Sequence, residues 1–258
     1  MKFCKIKKGI HILAIKAREK TFGGVDYLYK NKKSDILVIT FSGFATHDKV
    51  RTYNYVSTCS KHPVDTLHIK DSWGCRGSYY LMHEGNPYPY YSVLNLIYHI
   101  LGKRDYKKII CAGSSKGGSA ALIFGLKIGA TDIFAAACQY HIGTYVVKFD
   151  DVYRKMCFDH HKFTNIANGW EELNEVIPSA IHNGKPNQTI IHLFYSMNEH
   201  TYENEIIDLV EELKQYKYVV EETVCQFSTH SEVGTHFAPF LDRSLKHIAA
   251  SLKDSDNS

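Results

Sequence analysis

Apolar positions along this chain fall into two alternating rhythms. Residues 10–15, 25–29 and 35–42 are β-prone runs, divided by Gly23-Gly24 and by the polar stretch 31–34. They read as strands that begin a sheet with antiparallel pairs. The third, DILVITFS, is almost wholly apolar, as a strand covered on both faces must be. Residues 66–70 form another short strand, followed by an aromatic, glycine-rich loop and an amphipathic helix over 91–101. Further strands are expected at 109–112, at 132–138 (ending on Gln139-Tyr140-His141), at 189–196 and at 218–227. Helices follow at 116–129, 202–216 and roughly 237–252, and this alternation predicts a mostly parallel sheet with helices on both faces. Between 142 and 188 the rhythm stops. The helical patterns VVKFDDVYRKMCF and GWEELNEVIPSAI are joined there by polar loops, which suggests an insertion lying over the strand ends as a lid or substrate shelf. The whole chain, 1–258, reads as one α/β domain with a polar tail from 253.

The densest chemistry lies in KKIICAGSSKGGSAALIFGLKIG, residues 107–129, where a strand breaks at a tight turn and resumes as a helix. Ser115 is the centre of G-x-S-x-G. A serine at such an apex needs small neighbours, and Gly113 and Gly117 provide that room. The N–H of Lys116 opens the helix and points where an oxyanion would form, with the helix dipole favouring negative charge there. A phosphate-cradling turn has a similar composition, so the motif needs partners. A second oxyanion donor is expected from the end of DILVITFS, at Gly43 or Phe44. An ordinary strand-to-loop glycine would look the same.

A serine nucleophile requires a base, and the base an acid that fixes its tautomer. For a strand–turn–helix nucleophile the expected order is Ser, acid, His. Glu199 follows the strand at 189–196, and His230 follows the last strand. Asn198 cannot carry the charge, and Asp208 falls inside the next helix. His236 competes with His230 but lies at or inside the start of the closing helix. Arg76 and Tyr79, in the aromatic loop, and Gln139, at a strand end, are candidate substrate-binding residues. Lys116 and Arg76 are also candidates to meet anionic groups, although solvated surface cations are common.

Composition removes several classes. A formal charge of +4 with scattered Lys and Arg gives no nucleic-acid stripe. The apolar run 10–15 is too short for a membrane span or a signal core, so a cytoplasmic protein that does not span a membrane is expected. Seven cysteines without regular spacing read as thiols, and no Cys/His spacing argues for a metal.

The segment GSSKGGSAALIFGL, with Tyr53-Asn54-Tyr55, the RGSYY of 76–80, the E-x-T-Y of 199–202 and His230-Ser231-Glu232, resembles the serine-dependent capsular polysaccharide O-acetyltransferases of α/β-hydrolase fold. The resemblance spans roughly 36–240. It implies an α/β-hydrolase-like sheet and acetyl transfer from acetyl-CoA, as co-substrate with no bound cofactor, to a hydroxyl of a bacterial surface polysaccharide through an acetyl-serine. Ser115 would be the nucleophile, His230 the base and Glu199 the acid, with glutamate standing where the family has aspartate. An esterase using the same three residues, or a non-catalytic glycan-binding or export accessory protein, are the alternatives.

Overall fold

The computed structural model describes residues 17–44, 52–74, 77–149 and 171–256. Strand β3 (Ile36–Phe41) shows why a sheet forms with two covered faces. All six of its residues are buried, with Leu37, Ile39 and Phe41 entering one core and Ile36 and Val38 the other. The same division recurs in β5 (Lys108–Ser114), where Cys111 faces the first core and Ile110 and Ala112 the second.

The sheet also contains β1 (Lys20–Phe22), β2 (Val25–Lys30), β4 (Asp65–Ile69), β6 (Asp132–Ala136), β7 (Ile190–Ser196) and β8 (Val219–Cys225), in the order β1-β2-β4-β3-β5-β6-β7-β8. Pairs β1/β2 and β2/β4 are antiparallel, and every other pair is parallel. The strand at 35–42, expected to pair antiparallel, instead joins β4 and β5 in parallel, because it begins the alternating strand–helix series that requires crossovers. The run 10–15 lies outside the described residues. The polar β1 and the short helix α1 (Val56–Ser60) carry no clear hydrophobic period, and sequence patterning did not anticipate them.

Helices α2 (Tyr88–Leu101) and α3 (Lys116–Ile128) cover the first face, and α1 together with the closing helix α8 (Val233–Asp256) covers the second. In α8, Val233, Phe237, Leu241, Leu245 and Ala249 recur every fourth residue and are all buried in the second core. This helix starts earlier than the expected residue 237, because a 3₁₀ turn (His230–Glu232) leads directly into it. Thr229 and Glu232 cap that turn reciprocally. His236 is therefore inside the helix, and its ring stacks on Phe227.

Of the segment expected to form a lid, α4 (Ile142–Phe149), α5 (Glu171–Asn174) and α6 (Val176–His182) are described. Leu173, Ile177 and Ile181 join the first core, and α6 packs along α3. Helix α4 reaches the strand ends, with Tyr145 stacked 6.4 Å from the ring of His200. Helix α7 (Ile207–Gln215) is preceded by a π turn over Tyr202–Ile206. No helix among the described residues is long and apolar enough to cross a membrane.

Replacing Leu241, fully buried at the middle of α8, should cost about 2–5 kcal/mol as Leu241→Ala, read from urea denaturation. The solvent-facing change Lys246→Ala should move stability by less than about 0.5 kcal/mol.

Candidate active site

The parallel strands deliver their C-terminal ends to one edge, and the turn after β5 carries Ser115 there. Ser115 has φ 53° and ψ −130°, outside the regions that L-residues favour. Its N–H donates to Ala136 O at 2.8 Å, and its own carbonyl accepts from Gly118 N at 2.7 Å and Ser119 N at 3.1 Å. Glycine is required on both sides. A Cβ at Gly113 would lie 2.1 Å from Gly117 O, and one at Gly117 would lie 2.5 Å from Phe41 O.

His230 Nε2 is 2.6 Å from Ser115 Oγ, and His230 Nδ1 is 3.0 Å from Glu199 Oε1. An ionised carboxylate can only accept, so Nδ1 carries the proton and Nε2 turns its lone pair to the serine. Glu199 is buried; Thr201 Oγ1 donates to its Oε2, and His200 Nδ1 lies 2.6 Å from its Oε1. Burial alone would raise the Glu199 carboxyl, but the bonds from His230 and Thr201, with the electrostatic pull of the neighbouring His230 and His200 rings, hold it below the usual carboxylate range. The longer glutamate is thus fixed at both oxygens. His200, directly after the acid in sequence, is a neighbour that sequence reasoning missed, since a half-exposed histidine has no pattern of its own. Glu199, His200 and His230 offer ligand atoms within 4.8 Å of one another, and the contacts of both rings with the shared carboxylate account for that clustering.

The remaining candidates fall around this chain of bonds. Gln139 is fully buried, with Nε2 3.4 Å from Ser115 Oγ and Oε1 accepting from Tyr79 Oη at 3.2 Å. Its backbone is anchored through Ser119, whose Oγ donates to Gln139 O at 2.8 Å and accepts from Gln139 N at 2.9 Å. Gly43 lies beside the elbow, and its N–H donates to Asn54 Oδ1 at 3.3 Å. The ring of Phe44 meets that of Tyr79 edge-on at 5.4 Å. Arg76 lies outside the described residues.

Lys116 requires a correction. Its side chain, expected to meet anionic ligands or solvent, is 1% exposed and bonds Asp71 Oδ2 at 2.6 Å, because the start of α3 is enclosed by the loop of residues 77–80. Asp71 was also missed, a single polar residue just after a strand, whereas Asn54 and Thr201 lie in segments that carry the sequence resemblance without a role having been read for them. Tyr55, whose Oη lies 2.5 Å from Ser114 Oγ, is held fully protonated by burial, its hydroxyl pushed up to about 12. A cleft of about 710 Å³ opens between α2, α3 and α5–α6, lined by Leu81, Tyr90, Ile123, Leu126, Leu173 and Val176 among others; Ser115, His230 and Glu199 do not line it.

Glu205 is a further buried carboxylate. Glu205 Oε2 accepts from Tyr140 N at 2.8 Å and His141 N at 2.7 Å, pinning the loop that carries Gln139. Burial dominates there and pushes its carboxyl up to about 7, despite the opposing bond from His141.

No protein-family model and no curated protein sequence matches the chain. Its structure is similar to that of the capsule O-acetyltransferase of Neisseria meningitidis serogroup A, with TM-score 0.74 at 22% identity over 88% of this chain and 93% of that one. A histidine-to-alanine mutant of that protein in complex with CoA gives 0.72 at 22% identity, over 90% and 94%. FphF, a fluorophosphonate-binding serine hydrolase of Staphylococcus aureus, gives 0.62 at 11% identity, over 87% and 91%. With the strand order above, these likenesses establish an α/β-hydrolase fold, in agreement with the one implied by the sequence resemblance.

Glu205 supplies a pH test whose sign follows from its raised value. In the unfolded chain it ionises near 4.3, whereas in the folded one it holds its proton to about 7. Between those values the unfolded state binds fewer protons, so this residue's contribution falls as pH rises and is flat above. Glu205→Gln, which keeps the acceptor, should therefore gain about 1–3 kcal/mol on the parent protein between pH 4 and pH 8, measured by urea denaturation at both.

Proposed function

We propose, taking the shared fold as premise, that this chain is an O-acetyltransferase acting through an acetyl-serine on Ser115, with acetyl-CoA as donor and a polysaccharide hydroxyl as acceptor. The observation that carries the reading is the bonded series Ser115 Oγ, His230, Glu199, at 2.6 and 3.0 Å, on a strained elbow. The CoA complex of the structurally similar capsule enzyme supports the donor.

In this reading His230 Nε2 takes the Ser115 proton as Oγ attacks the thioester carbonyl. Glu199 stabilises the imidazolium that results, without itself taking the proton. The oxyanion is met by the N–H of Lys116 and by one from the 42–44 loop. Gly43, whose N–H donates to Asn54 Oδ1 at 3.3 Å, and Phe44 are the two loop candidates. Collapse of the tetrahedral intermediate expels the CoA thiolate, which leaves with the proton from His230. An acceptor hydroxyl then gives its proton to His230 and attacks the acetyl-serine, returning Oγ to the serine form.

Hydrolysis uses the same residues, with water as the acceptor, and the likeness to a serine hydrolase supports it as the second reading. The two differ in what excludes water. A purely binding role is disfavoured by the bonded Ser, His and Glu, which such a protein does not need.

Intact-mass measurement after brief mixing with acetyl-CoA should find one added acetyl group on the parent protein and none on Ser115→Ala. His230→Ala should slow acylation about 10³-fold or more. Free acetate released in preference to acetylated glycan would move the assignment to the esterase, and an adduct that persists on Ser115→Ala would end the serine mechanism.

A further inference from the structure

Lys116 presents an ammonium inside the protein immediately after the nucleophile, and the acyl-transfer steps make no use of that charge. Buried ion pairs contribute little net stability compared with apolar replacements of similar volume, so the pair's location is more informative than its strength. Asp71, 0% exposed at the side chain, accepts from Lys116 Nζ at 2.6 Å, from Ser78 N at 2.7 Å and from Tyr80 N at 3.2 Å, all on Oδ2. That carboxylate holds Tyr79 and Tyr80 at φ 56° and 61°, two successive left-handed conformations that non-glycine residues avoid. The approach is so close that a Cβ on Gly77 would stand 2.2 Å from Lys116 Nζ and 2.6 Å from Asp71 Oδ2.

The network then turns to the other wall of the oxyanion site. Tyr80 Oη accepts from Ser42 N at 2.6 Å and lies 2.9 Å from Ser42 Oγ, while Asp71 N donates to Ser42 Oγ at 3.1 Å. Lys116 Nζ also sits 5.4 Å from the centre of the Phe44 ring and 5.0 Å from that of Tyr80, within cation–π range. The residue whose N–H opens α3 and the loop at 42–44 are thus joined through a single buried carboxylate, independently of the sheet ladder.

We propose that the buried Lys116–Asp71 pair, acting through Tyr80 and Ser42, is a positioning device that sets the 42–44 loop against the Lys116 backbone amide so that both N–H groups face the developing oxyanion. This rests on the acyl-serine reading and deepens it. The pair touches no reacting atom. Its effect belongs in the rate of acylation more than in binding, because donors displaced by a fraction of an ångström still admit the planar ester but stabilise the tetrahedral oxyanion poorly.

The test uses the full chain with p-nitrophenyl acetate, following p-nitrophenolate release in single turnover. Removing one partner alone would bury an uncompensated charge, so the informative variant is Lys116→Met combined with Asp71→Asn, beside Tyr80→Phe, which deletes one hydroxyl. The expected result for the double variant is a melting transition close to that of the parent, a half-saturating ester concentration within about threefold, and a maximal acylation rate lowered about 10–100-fold. Affinity for a boronic acid, which places an oxygen among the same donors, should fall in parallel, and Tyr80→Phe should show a smaller loss of the same kind. Acylation rates within about twofold of the parent in both variants would overturn the proposal. So would a loss of rate that tracks a loss of folding. Ser115→Ala, run alongside, separates the two levels. Turnover that survives there overturns the acyl-serine reading and this inference with it, whereas turnover lost there but intact in the other variants overturns this inference alone.

Discussion

The close approach of three backbones at Ser115 is the constraint on which the rest of the structure depends. Strand β5, helix α3 and the end of β3 come so near one another that neither Gly113 nor Gly117 has space for a single additional carbon. The serine between them occupies a conformation that costs energy, on the order of 1–3 kcal/mol, and persists because its N–H and C=O are both held by neighbouring elements. That expenditure lifts Oγ out of the sheet edge toward His230. It also places the first amide of α3 beside the loop after β3, so the nucleophile and oxyanion donors of the proposed reaction would arise from one feature of the backbone.

Around this point the protein places carboxylates inside and gives each a different environment. Glu199 receives His230 and Thr201 and lies next to His200, and these interactions outweigh burial, so it stays ionised and can stabilise an imidazolium. Glu205 receives two backbone amides, and burial outweighs them, which leaves it protonated well above the ordinary range. Asp71 receives a lysine and two amides and serves as the knot between two loops. Three similar side chains thus differ in charge and role according to how many donors reach them and how far water is excluded.

The segments that carry the sequence resemblance are dispersed along the chain but meet at this site. Tyr55 bonds Ser114, Asn54 bonds Gly43, Ser78 and Tyr80 bond Asp71, and Thr201 bonds Glu199. Most of them support the residues that would react and do not themselves reach the serine. Their shared feature is the maintenance of unusual backbone, at Ser115, Tyr55, Tyr79 and Tyr80, all with positive φ.

What the chain determines locally was legible in it. Periodicity exposed the alternation of strand and helix, because an apolar face must repeat with the geometry of the element that buries it. Glycine spacing exposed the elbow, because only glycine fits there. The order Ser, Glu, His pointed to three residues that the fold joins by hydrogen bonds, because each follows a strand whose C-terminal end the topology brings to one edge. Strand direction at β3, the early start of α8 and the packing of α6 along α3 were decided by tertiary contacts that no local pattern encodes. The fate of Lys116 is the clearest instance: in sequence it is an ordinary cation after a serine, and it becomes an interior one only because Asp71, 45 residues away, arrives with a carboxylate. A residue's type states which interactions it can make. Which of them it makes depends on partners distant in the chain, and for a buried charge the fold has to supply those partners.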